Sequence, residues 1–221
     1  DITERKQAMM VLQARLNISD YAVSHSYEEL LVKILDEAET LAESHRGFIY
    51  EVTDKQLVLK KQTCSTRASA ELCSADSMKH AIPLTCAGVW ADCIREKKAQ
   101  IHNDYEALSS RKGLSPGLVT VRRVLLVPIL RNNQVVAVLG LGNKPADYTI
   151  QDANTIQHLA NLAWDTVIQK QSEAALAVKT LQLEALNQSL ESRVAESVTE
   201  LRKKDDLLIQ QGRLAAMGEM I

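Results

Sequence analysis

From Ala146 to Gln211 the chain contains neither glycine nor proline. Those two residues interrupt helices most readily, and the segment is rich instead in Ala, Leu, Glu, Gln and Lys, which favour them. The pattern predicts one continuous helix beginning near Thr149. At a rise of 1.5 Å per residue it would reach on the order of 100 Å, longer than a small domain is wide. Along it runs the apolar series Leu183, Leu186, Leu190, Val194, Val198, Leu201 and Leu208. Such a stripe cannot be buried by an isolated helix, so it calls for a partner helix and predicts a parallel homodimeric coiled coil. A regular heptad alternates steps of three and four. Here Leu186, Leu190, Val194 and Val198 follow one another at steps of four, which reads as an inserted stutter that locally unwinds the supercoil. The other reading is a loosely specified seam that accommodates Arg193 or Ser197.

Outside that helix about 145 residues remain, enough for one hydrophobic core. Hydrophobic residues make up 46% and charged residues 24% of the chain, the balance of a soluble globular protein. A net charge of −2 offers no footprint for nucleic acid or an anionic membrane surface. No apolar run approaches the ~20 residues that span a bilayer. The first residue is Asp1 and no signal peptide is legible, so a cytoplasmic location is expected, with membrane anchoring of a longer parent left open. The four cysteines, Cys64, Cys73, Cys86 and Cys93, form no CxxC pair. Reduced thiols are therefore expected rather than a disulfide framework. Cys86 and Cys93 stand seven apart, on one face of an expected helix and about 10 Å from each other, too far for a mutual disulfide. Either could meet Cys64 or Cys73. No two histidines have metal-ligand spacing.

Taken in order, Thr3 can cap a helix whose apolar positions Met9, Leu12 and Leu16 make a narrow stripe, suited either to a partner helix or to the chain's own domain. Ser26 and Glu29 have capping-box spacing and open a helix with Leu30, Leu31, Ile34, Leu35, Ala38 and Leu41 on one face. Strands are expected at 47–52 and 57–60 around a turn at 53–56. Residues 64–80 read as a loop with a helical turn, 82–84 as extended, 87–98 as a helix, 100–103 as a short strand and 105–117 as a loop. Two apolar strands, 123–129 and 135–141, flank Asn132-Asn133, a hairpin signal. The fold class is α+β, an antiparallel sheet with helices on one face followed by a long C-terminal coiled-coil helix.

Four motifs carry a family resemblance: Gly88-Val89-Trp90-Ala91-Asp92-Cys93-Ile94-Arg95; Ile101-His102-Asn103-Asp104-Tyr105; Arg123 with Val127-Pro128; and Gly142-Asn143-Lys144-Pro145-Ala146-Asp147-Tyr148. In this order the span from about Tyr27 to Gln169 resembles a GAF domain of the subfamily with GxWADxxR, IHNDY and GNKPxxY motifs. It departs from that subfamily at Gln62-Thr63, where a Trp-Ser pair is usual, and at Ser115 and Leu118, where Pro and His are usual. Asn143-Lys144, Tyr148 and Asp152 also resemble the NKxxF…DE motif of cyclic-nucleotide-binding GAF domains, with Ala153 in place of the second acid. The resemblance implies a lysine–acid clasp bracing a turn. No cysteine is followed by histidine, unlike bilin-attaching phytochrome GAF domains. At the edges, residues 1–6 resemble the close of a PAS domain. Residues 213–221 resemble the opening of the dimerisation and phosphoacceptor helix of sensor histidine kinases, whose histidine would follow beyond Ile221.

These resemblances imply four segments: a linker helix at 1–24 following an upstream PAS domain; a GAF sensor domain at 25–170; a coiled-coil signalling helix at 171–211; and the start of the kinase helix at 212–221. The expected function is a regulatory, small-molecule-sensing module of a two-component histidine kinase. It would be non-catalytic itself, with ATP used only by the parent kinase and a response regulator reached only through it. The ligand would sit between the sheet and the loops crossing it. Trp90, His102, Asn103, Asp104, Tyr105, Arg123, Cys64 and Cys86 are the candidate ligand-binding residues. Arg123 and His102 could meet a carboxylate or phosphate, which favours a small polar or anionic ligand. Against each stands a structural role: Asp104 as a turn cap, Arg123 as the ion-pair partner of a loop acid, Trp90 as core, the cysteines as small buried hydrophobes. Two other functions remain open. One is a cysteine-based redox enzyme or thiol sensor resembling free methionine sulfoxide reductases; the other is a purely structural dimerisation module.

Overall fold

A computed structural model describes residues 2–53, 58–72, 82–108 and 121–218. Within these it describes the backbone alone at 2–4, 60–62, 70–72, 86, 206, 210–211 and 213–218. The first helix, α1 (Ile2–Ser24), is followed by α2 (Tyr27–Leu41). The break between them is chemical: Ser26 caps α2 by accepting from the Glu29 amide (3.3 Å) while the Glu29 carboxylate accepts from the Ser26 amide (2.8 Å). This is the reciprocal box expected from the sequence. Then come β1 (Arg46–Thr53), β2 (Val58–Cys64), α3 (Thr66–Leu72), β3 (Ile82–Pro83), α4 (Val89–Glu96), β4 (Gln100–His102), β5 (Val124–Arg131), β6 (Gln134–Gly142) and α5 (Ile150–Gly218). The expected turn at 53–56, Cys73 and the loop holding Ser115 and Leu118 lie wholly or mostly outside the described residues.

The six strands form one sheet in the order β3-β2-β1-β6-β5-β4, every neighbouring pair antiparallel. The β5–β6 hairpin closes on Asn132 and Asn133, both at positive φ (50° and 60°). That is the left-handed pair a two-residue hairpin demands and asparagine accepts. Strand alternation then divides the sheet's side chains between two cores. Ile49, Leu125, Val127, Ile129, Ala137, Leu139 and Leu141 face α1, α2 and the beginning of α5. Phe48, Tyr50, Leu126 and Val138 face the other way, toward α3 and α4. Because both faces are covered, β5 and β6 read as unbroken apolar runs rather than alternating ones.

Helix α1 is apolar on two sides. Val11, Ala14, Ile18 and Ala22 are buried against the domain. Met9, Leu12 and Leu16, the stripe noticed in the sequence, point outward, Met9 being 68% exposed. An apolar groove of about 430 Å³ lies between α1 and the start of α5, with Val11, Leu12, Asn154 and His158 in its wall.

Helix α5 starts on Thr149 and Asp152. The Thr149 amide donates to Asp152 (2.8 Å) and the Asp152 amide donates back to the Thr149 hydroxyl (3.2 Å). The chain divides into two compact units, Asp1–Gln171 and Ser172–Ile221. In the second, the stripe from Leu183 to Leu208 is exposed throughout.

Two expectations about the cysteines are corrected. Cys86 belongs to a short 3-10 turn (Leu84–Cys86) and not to α4, because Gly88, at φ 53°, turns the backbone before the helix begins. Cys86 and Cys93 therefore do not share a helix face. Cys64 is disulfide-bonded rather than reduced, its partner lying outside the described side chains. Cys93 is free and buried.

Candidate functional site

The second face of the sheet is the candidate site. Its centre is Tyr50. Strand β1 is interrupted just there: its pairing with β2 slips between Tyr50 and Glu51, a bulge of the kind that re-aims side chains. Tyr50 is 2% exposed. Its ring meets Trp90 edge to face, centroids 4.6 Å apart, a favourable aromatic geometry. Its hydroxyl is buried and has no hydrogen-bond partner among the described residues. Burial pushes the phenol's pKa up, and the nearby Tyr105 pushes it further in the same direction, so Tyr50 is a neutral donor and acceptor at ordinary pH.

Trp90 owes its seat to Gly140. A Cβ at that position would stand 2.5 Å from the indole ring, so any larger residue on β6 would displace it. Around these rings lie Phe48, Leu59, Cys64, Ile94, Tyr105 and Leu126, all buried. Cys93 faces the same cluster, and burial raises its thiol pKa well above the usual value, keeping it protonated.

The candidates from the sequence separate into two groups. Trp90, Tyr105 and Cys64 come together in this cluster. The Cys86 side chain lies outside the described ones. The other four hold loops in place or stand at an edge. Asn103 clasps the backbone of Tyr148, donating to its carbonyl (3.1 Å) and accepting from its amide (2.8 Å). Asp104 accepts from the Ala107 amide (3.3 Å), a turn cap. Arg123 pairs with Asp147 (2.7 Å) and reaches the Lys144 carbonyl (3.5 Å). His102 sits on the edge strand β4. Because Ile101 packs with the helical-side core, alternation directs His102 to the opposite face. Its Nε2 is buried without a partner among the described residues. Burial lowers its pKa, with Asp92 opposing, and so favours the neutral ring.

Lys144 bridges to Asp152 (2.8 Å). Burial alone would raise the Asp152 carboxyl. The ammonium of Lys144 and the amide and hydroxyl of Thr149 outweigh it and hold the group below the usual carboxylate range. Tyr148 completes the corner. Its hydroxyl lies 2.7 Å from the Ser44 hydroxyl, and its pKa is pushed up to about 12, chiefly by burial. This turn is the clasp that the Asn143-Lys144 motif implied.

Glu51, next to Tyr50, emerges on the helical side and accepts a hydrogen bond from the Tyr27 hydroxyl. Tyr27 also bonds the Gln171 side chain. One residue earlier on α5, Lys170 donates to the Ala22 carbonyl near the end of α1 (2.7 Å). Tyr50 and the part of α5 at Gln171 are thus two side chains apart. Sequence reasoning missed both Tyr50 and Glu51. The alternation Phe48, Tyr50, Val52 was readable, but not which face a ligand would meet. Among the described residues no cluster of His, Cys, Asp or Glu could hold a metal ion, and no helix is long and apolar enough to cross a membrane.

The sequence matches the GAF domain family over residues 24–167. Among characterised proteins it is 30% identical over 201 residues to the methyl sulfide methyltransferase-associated sensor of Methanosarcina acetivorans, covering 87% of this chain. The chain spans 20% of that relative's length. Among solved structures it resembles the GAF domain of an Acinetobacter phosphoenolpyruvate-protein phosphotransferase (TM-score 0.58, 15% identity, 73% of this chain and 94% of that one). It also resembles the free methionine-R-sulfoxide reductase of Neisseria meningitidis in complex with its substrate (TM-score 0.58, 14% identity, 76% and 93%). At such identities the likeness is one of fold.

Proposed function

The chain belongs to the GAF domain family, and from that premise we propose that it is the small-molecule-sensing module of a sensor histidine kinase, signalling through a parallel helical homodimer. The observation that carries this reading is the adjacency on β1. Tyr50 faces the candidate ligand site, while Glu51 holds Tyr27 and, through it, Gln171 at the exit of α5. A ligand that repositions Tyr50 moves the bulge, and the bulge moves the grip on α5. The relative from Methanosarcina is itself a sensor by name, which supports a signalling role. The kinase setting is drawn from the segment 213–221 and from the exposed stripe on α5. In it the parent kinase alone uses ATP and addresses a response regulator.

The dimer buries the outward stripe of α1 and the seam from Leu183 to Leu208 against a second copy. The fragment is then a dimer at tens of micromolar, and a monomer by light scattering would refute that part. The stutter leaves two packings of the helix pair close in energy, which the domain biases by a small rotation. Deleting seven residues between Lys179 and Lys204 in the parent kinase keeps the phase of both ends and preserves regulation. Deleting four erases the stutter and locks the output on or off. A four-residue deletion that still responds to ligand would make the helix a tether only. The reductase reading is less favoured. Of the described cysteines, Cys93 is a buried protonated thiol and Cys64 is already disulfide-bonded.

A further inference from the structure

The ligand face carries more information than its location. The charges that the sequence offered to it are engaged elsewhere. Arg123 is paired with Asp147, Asp104 caps its own turn, and Arg95 pairs with Asp92 on the exposed side of α4. Arg46 lies on the same face of β1 as Tyr50, but four residues away, roughly 13 Å at strand spacing, and it already has a partner. The described residues around Tyr50 include Phe48, Leu59, Trp90, Ile94, Leu126 and Val138, with Cys64, Cys93 and Tyr105 among them. A carboxylate or phosphate brought against them would lose its hydration and gain no counter-charge from these described residues. What they do offer is neutral polar groups, first among them the Tyr50 hydroxyl, buried and without a partner among the described residues. A buried polar group in that condition is costly unless something completes it.

We infer that the ligand is an uncharged, largely apolar molecule carrying one oxygen that hydrogen-bonds the Tyr50 phenol. This rests on the sensor reading above, and it reverses the anionic preference suggested by Arg123. The apolar body of the ligand packs on Trp90 and Leu126. Its oxygen accepts the phenol proton, with Tyr105 beside it. The ligand thereby bears directly on the residue that adjoins the β1 bulge.

Three probes of nearly equal shape separate the terms. Acetophenone is neutral with one carbonyl oxygen, benzoate carries a negative charge in place of the methyl group, and ethylbenzene has no oxygen. The whole 221-residue chain is labelled with 3-fluorotyrosine, and the Tyr50 fluorine signal is assigned by its loss in Tyr50→Phe. Acetophenone should shift that signal saturably. Benzoate should bind at least about tenfold more weakly. Ethylbenzene should bind about fivefold more weakly, and Tyr50→Phe should reduce acetophenone to the same level, read from the ligand's own resonances. Benzoate binding as tightly as acetophenone would overturn the neutral class while leaving the site in place. Equal binding of acetophenone and ethylbenzene would remove Tyr50 as the anchor. If no probe moves the Tyr50 signal, both this inference and the location of the site fail.

Discussion

On the helical side of the sheet, Ile49, Leu125, Val127, Leu139 and Leu141 close against three long helices. The helix N-termini there are capped by Ser26 and Thr149, and the departing α5 is held by Lys170 and Tyr27. On the opposite side the cover among the described residues includes two short helices, α3 and α4, and the sheet presents aromatic rings. Tyr50 and His102 each bury a polar atom without a partner among the described residues. The first face is built for a fixed geometry, since apolar packing of long elements is satisfied by itself. The helical side is not free of such atoms, Glu39 Oε1 on α2 being one, but on the second face they lie beside aromatic rings, a condition that costs stability and that proteins keep where something else is to bind.

The largest effects test whether both faces are true cores. Trp90→Ala should destabilise by about 3–5 kcal/mol and Leu139→Ala by about 2–5 kcal/mol in urea unfolding, since each leaves a cavity in close packing. A cost for Trp90→Ala below about 1 kcal/mol would mean that the second face is only loosely closed. Next is Gly140→Ala, expected to cost about 1–3 kcal/mol by overpacking, because its methyl would collide with the indole. In a Trp90→Leu background most of that penalty should vanish. If it persists, the collision is not its cause.

The third test sets the faces against each other. Tyr50→Phe removes a buried hydroxyl that has no described partner, and so should leave the ligand-free protein as stable or up to about 1 kcal/mol more stable. Loss of more than that would show a partner for the hydroxyl. The smallest effect is on pH. His102 has a folded pKa below its ordinary 6.5 because burial disfavours the charged ring. Its contribution is fully present above that ordinary value and is lost as pH falls through the folded pKa. Stability measured from pH 7 downward should therefore decline below about 6.5, with a shallower decline in His102→Gln. An unchanged slope in the variant would assign the decline to other groups.

Much of the fold was readable residue by residue. Ser26-x-x-Glu29 marked the start of α2, Asn132-Asn133 the hairpin, and the stretch without glycine or proline the course of α5, because each acts through backbone chemistry within a few residues. The clasp of Lys144 on Asp152 was implied by the family resemblance of its motif. The site was less legible. Arg123 has the same sequence whether it faces a ligand or Asp147, and only the turn of 143–149 brings that acid to it. Met9, Leu12 and Leu16 announce an apolar stripe, but so do Val11, Ala14, Ile18 and Ala22, and periodicity alone cannot say which of two stripes the domain will cover. Cys86 falls outside the expected helix because Gly88, at positive φ, delays its start.

What the sequence determined by itself was local: where helices begin, where strands turn, which positions alternate, and the family to which those motifs point. These rest on hydrogen bonds and dihedral preferences that span a handful of residues. What only the tertiary structure decided was which polar groups end up satisfied. Tyr50, Trp90, Tyr105 and Gly140 are far apart in the chain and meet only because the strand order places β1 beside β6 and lays α4 across them. A hydroxyl without a partner among the described residues is a property of that assembly, since it depends on which distant neighbours the fold brings to it and on none that the chain places next to it.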